Sequence, residues 1–156
     1  RDICGTAYRD KAICLERGAC AHYAPKNAAS FLISGACRAM GSVGWRIVYA
    51  YADVNAGEIG NVYQACNWLY IGQGVGRNGR PRTNWIRPDG TEVTSRTLRH
   101  QELKTASAKD LGWIPVARPS KHKYVLLLGD RREIRVLRKA LKYEPLPYPK
   151  RTEVKR

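Results

Sequence analysis

Acidic residues are scarce. The 156-residue sequence holds 13 Asp and Glu against 28 Lys and Arg, a formal net charge of +15. No apolar run approaches the roughly 18 residues needed to cross a bilayer, so a soluble protein with no membrane partner is expected. No Cys-x-x-Cys pair occurs, and Cys4, Cys14, Cys20, Cys37 and Cys66 are odd in number and lie in apolar surroundings. They read as buried free thiols of a reducing cytosol, not as disulfides or metal ligands. His22 and His100 have no carboxylate or thiol companion at ligand spacing, so no metal site is expected. There is no Gly-x-Ser-x-Gly elbow, no pair of catalytic carboxylates and no internal repeat.

Apolar residues make up 44% of the chain, which fits a globular protein, and the length suits one domain with its own core. The positive charge is uneven. Residues 1–75 hold 7 Lys/Arg and 5 Asp/Glu, whereas residues 76–156 hold 21 and 8. A field of that sign attracts phosphate polyanions first, and anionic membranes or acidic proteins second. A surface merely kept soluble by its charge is the plainer alternative.

The pattern of elements alternates. Residues 11–23 read as a strand, bulged at Gly18. Ala29, Leu32, Ile33, Ala36, Cys37 and Met40 recur at spacings of three and four, predicting a helix that Pro25 and Asn27 open and Gly41 closes. Residues 45–54 predict a central strand, 57–66 a short helix stopped by Asn67, and 68–72 another strand. Residues 73–90 read as a long hairpin or loop. Within it Gly74-x-Gly76-x-x-Gly79 mimics a dinucleotide fingerprint, but Arg80-Pro81 breaks the chain where that motif needs a helix. A short helix over 105–111, a strand at 113–118 and a firmer one at 123–129 follow. Asp130 and Glu133 form a capping box for a last helix with Ile134, Leu137 and Leu141 inward and Arg131, Arg135, Arg138, Lys139 and Lys142 outward. Residues 1–143 thus read as one domain and 144–156 as an extended or disordered basic tail. Alternating short elements of this kind build an α/β (α+β) domain, a sheet with helices across it.

Some residues are placed for chemistry. The loop before the first helix presents Lys26 and the free amides of Asn27, Ala28, Ala29 and Ser30, which suit an anion such as a pyrophosphate; a plain capped helix explains the same residues. Asp53 follows the central strand, where open sheets deliver groups into a crevice, although turn aspartates are common there. Tyr63 lies on an apolar helical stripe, which by itself favours a core role. His122 is a candidate neighbour of a phosphate.

The segments "APKNAASFLISGACRAM", "YAYADVNAGEIGNVYQACNWLYIG" and "KHKYV" resemble phage proteins related to the Mom DNA-modification protein, a branch of the GNAT-like acyltransferase fold. The resemblance covers about residues 20–128, and its sharpest part is Tyr51-Ala52-Asp53 with Gly60-x-x-Tyr63-Gln64-Ala65-x-Asn67-Trp68. It implies a mixed, splayed sheet lacking its first elements, with an acyl-CoA or related acyl donor in the wedge between two strands and its pyrophosphate on the helix amino terminus. It also implies that Tyr63 sits beside the donor's sulfur. Pro25-Lys26-Asn27-Ala28-Ala29 stands where such folds usually carry an Arg/Gln-x-x-Gly-x-Gly/Ala loop.

Three functions follow as expectations. The first is a transferase that adds an acyl-derived, carbamoylmethyl-like group to the exocyclic amine of adenine in double-stranded DNA, in the bacterial host cytoplasm if phage-encoded. There Asp53 and Tyr63 are catalytic, and Asn67 reads the edge of a flipped base. The second is an N-acyltransferase acting on a small amine or a protein. The third is a phage nucleic-acid-binding protein without chemistry. DNA contacts are assigned to Arg131, Arg135, Arg138 and Lys142, and to Arg77, Arg80 and Arg82 of the glycine-rich loop.

Overall fold

The run Ile-Val-Tyr-Ala-Tyr-Ala at residues 47–52 combines β-branched and aromatic residues with small ones, and it forms an inner strand of the larger sheet. The computed structural model describes residues 2–16, 18–74, 82–94, 97–98, 105–118 and 120–151. In chain order these form a 3₁₀ turn (Thr6–Lys11), β1 (Ala12–Leu15), α1 (Ala28–Ser42), β2 (Ile47–Ala52), a second 3₁₀ turn (Val54–Ala56), α2 (Asn61–Ala65), β3 (Leu69–Gln73), β4 (Arg82–Ile86), β5 (Glu92–Val93), α3 (Thr105–Asp110), β6 (Ile114–Arg118), β7 (His122–Leu127) and α4 (Arg131–Ala140). This is the mixed α+β class that the sequence pattern implied.

Two compact units hold these elements, one of Arg1–Gln73 with Lys121–Arg156, the other of Gly74–Ser120. In the first, the strands lie in the order β1-β2-β7-β3. β1 and β2 are parallel, joined across α1, and β7 runs antiparallel to both β2 and β3. Ile47, Val48, Ala50 and Ala52 are no more than 1% exposed, so β2 is covered on both faces up to Tyr51, which is 42% exposed. On one face Val48, Ala50, Ala52, Trp68, Tyr70 and Tyr124 pack with Cys37 and with Ile33 and Met40 of α1. On the other, Ile47, Tyr49, Ile71, Val125 and Leu127 pack with Ile3, Cys4 and with Leu137 of α4.

Both helices that flank β2 end in the same device. The N–H of Trp45 bonds the carbonyl of Met40 and that of Gly44 bonds Gly41, with Gly44 at φ +98°, so α1 closes in a Schellman motif one turn later than a stop at Gly41. After α2 the N–H of Trp68 bonds Tyr63 and that of Asn67 bonds Gln64. Asn67 is the only non-glycine residue at positive φ (57°) among the described residues. Asparagine tolerates this left-handed position, and the turn it makes drops Trp68 into the core at 0% exposure.

Other expectations are corrected. The first strand is four residues long; beyond Leu15 the described chain to Ala24 is irregular and the ladder with β2 stops at Leu15↔Ala50. Leu32 is 60% exposed, because the stripe that meets the sheet is narrower than the apolar periodicity and takes Ile33, Cys37 and Met40 instead. Cys20 is exposed, although all five cysteines are free. Lys142 lies beyond α4 and pairs with Asp2 at 2.6 Å. Residues 144–151 are extended and tied down: Leu146 bridges Tyr70 on the β3 edge, and the Tyr148 hydroxyl donates to the Trp68 carbonyl at 2.8 Å. α4 begins on the expected capping box, with Asp130 Oδ1 accepting from the Glu133 N–H at 2.8 Å and Glu133 Oε2 from the Asp130 N–H at 3.0 Å.

The second unit is a three-stranded antiparallel sheet, β5-β4-β6, around Trp85, Val93, Leu98, Ala108 and Trp113. Its β4–β5 hairpin turns at Pro88-Asp89-Gly90, where Asp89 accepts from the Thr91 N–H at 2.8 Å. Arg87 lies over the Trp113 ring, 4.8 Å from its centroid.

Candidate functional site

A parallel β1-α1-β2 unit brings the start of its helix to the end of the sheet where β2 finishes. β7 begins there, because His122 pairs with Ala52. Asp53, the first residue after β2, caps the 3₁₀ turn: its Oδ1 accepts from the Asn55 N–H at 3.1 Å. Its Oδ2 pairs with Lys121 Nζ at 2.6 Å, and its own N–H donates to Glu58 Oε2 at 2.9 Å. The Asp53 carboxylate is therefore a structural cap as well as a charged group at the sheet edge.

Tyr63 is held on α2 with its ring 5.1 Å from Trp68 and 5.3 Å from Tyr124. Burial first, and then the charge of Glu58, push its phenol above the ordinary tyrosine value, so it stays protonated at neutral pH. Among the described residues its hydroxyl has no hydrogen-bond partner, yet it is not one of the sealed, unpartnered polar atoms. The indole N–H of Trp68 is one of those, a buried donor without an acceptor in the same cluster.

The ring behind Tyr63 is fixed. Tyr124 is 0% exposed; its hydroxyl donates to the Ile59 carbonyl and accepts from Gln64 Nε2 at 3.1 Å. Gln64 also donates to Ile59 at 2.9 Å. Tyr70 stands 5.3 Å from Tyr124 and hydrogen-bonds His122 Nδ1 at 2.9 Å. His122 is 8% exposed and burial lowers its pKa, so it is a neutral core histidine and not a surface partner for phosphate.

The amino terminus of α1 is joined to this edge through α2. Cys66 Sγ lies 3.5 Å from the Ser30 carbonyl and 3.5 Å from Ser34 Oγ. Asn27 occupies the cap position without a side-chain hydrogen bond, and the Ser30 hydroxyl turns back to the Asn27 carbonyl at 3.0 Å. Ala28 N–H bonds the Pro25 carbonyl and Phe31 N–H the Asn27 carbonyl, which leaves the N–H groups of Ala29 and Ser30 without a protein acceptor among the described residues. Lys26 is exposed beside them, and the small side chains of Ala28 and Ala29 leave the backbone approachable. This uncapped turn fits an anion.

The α4 arginines proposed for DNA are not gathered here. Arg131, Arg135 and Arg138 are exposed on α4, which packs on the opposite face of the sheet from α1. Arg82 opens β4 in the other unit, and Arg77 and Arg80 lie outside the described residues. Asn67 is exposed and serves the turn after α2. Sequence reasoning missed Glu58, Lys121, Gln64 and Tyr124. The Gln64 and Tyr124 contacts depend on strand order, while Glu58 was legible only as the acid after the Asn-Ala-Gly turn. No cluster of three His, Cys, Asp or Glu among the described residues is placed to hold a metal, and none of their helices is long and apolar enough to cross a membrane.

Fold and site together define an α+β protein with an aromatic-walled sheet edge beside an open helix amino terminus. The chain belongs to the Mom protein family, which matches residues 3–150. It is thus a phage Mom-like protein, in a family whose field is DNA modification. No curated protein matches it significantly.

Proposed function

We propose that this chain is a DNA-modifying transferase with a GNAT-like fold, adding an acyl-derived group of the carbamoylmethyl kind to the exocyclic amine of adenine. The observation that carries the reading is the Tyr63 hydroxyl, set between two aromatic neighbours, kept protonated by its surroundings and without a hydrogen-bond partner among the described residues. A fixed phenol of this kind is a hydrogen-bond donor waiting for an acceptor. In the proposed reaction it supports the leaving sulfur. An acyl thioester of the coenzyme A class would supply the group, with the Ala29 and Ser30 amides and Lys26 holding its phosphates. The amine nitrogen attacks the thioester carbonyl, the N–C bond forms as the C–S bond breaks, and the thiol leaves with a proton. The product is an amide, and a carbamoylmethyl adenine, bonded through its CH2, requires a subsequent rearrangement of a glycyl amide. The end of the β1–β2 ladder at Leu15↔Ala50, two residues before β2 itself ends, supports a wedge between these strands. Asp53, fixed by Lys121, orients the acceptor amine, and the base must leave the stack to reach it.

The test is mass spectrometry of nucleosides from DNA co-expressed with the protein. The wild type should yield modified adenine. Tyr63→Phe should lose about a hundredfold or more of it, with stability within about 0.5 kcal/mol of wild type because the hydroxyl has no hydrogen-bond partner among the described residues. Full activity in Tyr63→Phe would remove the phenol from the reaction, and unmodified adenine with the wild type would end the reading.

A further inference from the structure

The sequence contains a single phenylalanine, Phe31, and the fold leaves it 77% exposed in the first turn of α1. Its neighbour Leu32 is 60% exposed. An apolar side chain stabilises a fold by leaving water, so neither serves the fold where it stands. The exposed positions that continue this side of α1 are Arg38, Ala39 and Ser42. α1 has no acidic residue, and the sequence has none between Glu16 and Asp53. Arg38 makes no ion pair among the described residues and stands two turns beyond Phe31, about 10 Å along the axis. Lys26 and the open Ala29 and Ser30 amides lie at the other end. An apolar pair set between cations on a carboxylate-free helix is complementary to a polyanion with an apolar interior.

The position relative to the site matters as much. Cys66 Sγ contacts the Ser30 carbonyl and Ser34 Oγ, and Phe31 follows Ser30 directly in α1 with its side chain exposed. From these contacts, and resting on the reading of duplex DNA as substrate, we propose that Phe31, backed by Leu32, is the wedge that enters the duplex and fills the gap left when the target adenine is extruded toward Tyr63. Arg38 would grip a backbone phosphate beside the opened step, while Lys26 stays with the donor. Unstacking a base step is unfavourable, and an inserted apolar side chain offsets it.

The experiment compares native and heat-denatured plasmid DNA as substrates in host extract, with modified adenine read by mass spectrometry for wild type, Phe31→Ala, Leu32→Ala and Phe31→Trp. The wedge is needed only where there is a stack to open. Phe31→Ala should therefore lose about tenfold or more on native DNA and stay within about twofold on denatured DNA, while Phe31→Trp keeps most activity on both. Equal activity of Phe31→Ala and wild type on native DNA overturns the wedge alone. A parallel loss on both substrates overturns it too, since that is damage to the site. If the wild type modifies neither DNA, the DNA-modification reading fails and takes the wedge with it. Sedimentation of the same variants is the second readout: a wild-type dimer that Phe31→Ala makes monomeric would assign this face to self-association and overturn the proposal.

Discussion

Gly60 is the point at which the fold leaves least room, and replacing it with alanine tests the packing behind Tyr63. Two costs add. The residue sits at φ +77°, in the left-handed region, where a Cβ costs about 1–2 kcal/mol. A Cβ there would also meet the Tyr124 ring, with Cζ at 2.8 Å and the hydroxyl oxygen at 3.0 Å, inside any normal contact. Tyr124 has little freedom to move: it is fully buried, packed at a tilt against Tyr63 and Tyr70, and held by its hydroxyl to Ile59 and Gln64. Forcing such a side chain aside costs about 1–3 kcal/mol. Gly60→Ala should therefore lose about 2–5 kcal/mol, a large part of the 5–15 kcal/mol typical of a domain. Gly57→Ala is the control, because Gly57 has a similar φ of +68° and nothing within 4 Å of its would-be Cβ. It should lose only the backbone part, about 1–2 kcal/mol. Urea unfolding of both variants gives the difference directly. Equal losses at the two glycines would show that Tyr124 yields freely, and the account of a rigid wall behind Tyr63 would be refuted.

Two further outcomes follow from local contacts. Asp130→Ala removes one half of the capping box and unsettles the Glu133 carboxylate that also holds Arg46 at 2.8 Å; a loss of about 1 kcal/mol is expected from urea midpoints, and no change would mean that the start of α4 is held by packing alone. His122 has a pKa lowered by burial, so the unfolded chain binds a proton more readily than the folded one. Stability should be full above the unfolded value of about 6.5 and fall as pH drops through it, levelling out below the folded pKa. Urea midpoints between pH 7.5 and 5 should show that slope in the wild type and a shallower one in His122→Gln; identical slopes would place the titration elsewhere.

The sequence by itself determined the elements whose causes lie within a few residues. β-branched and aromatic residues made β2, threefold and fourfold apolar spacing made α1, the Asp130–Glu133 pair opened α4, and Asn67 stopped α2. It also carried the family, since the motifs around Asp53 and Tyr63 are continuous in the chain. Tertiary structure decided what those residues do for one another. Strand order put Tyr124 against Tyr63, Lys121 on Asp53 and His122 beneath Tyr70, and it sent the α4 arginines to the opposite face of the sheet from α1. The segment read as part of one continuous domain, Gly74–Ser120, forms a compact unit with its own core, and the segment read as a tail is pinned to β3. The physical reason is range. Capping, turns and periodicity act over one or two helical turns and are written locally, whereas pairings such as Lys142 with Asp2, 140 residues apart, exist only once the sheet has set which distant segments are neighbours.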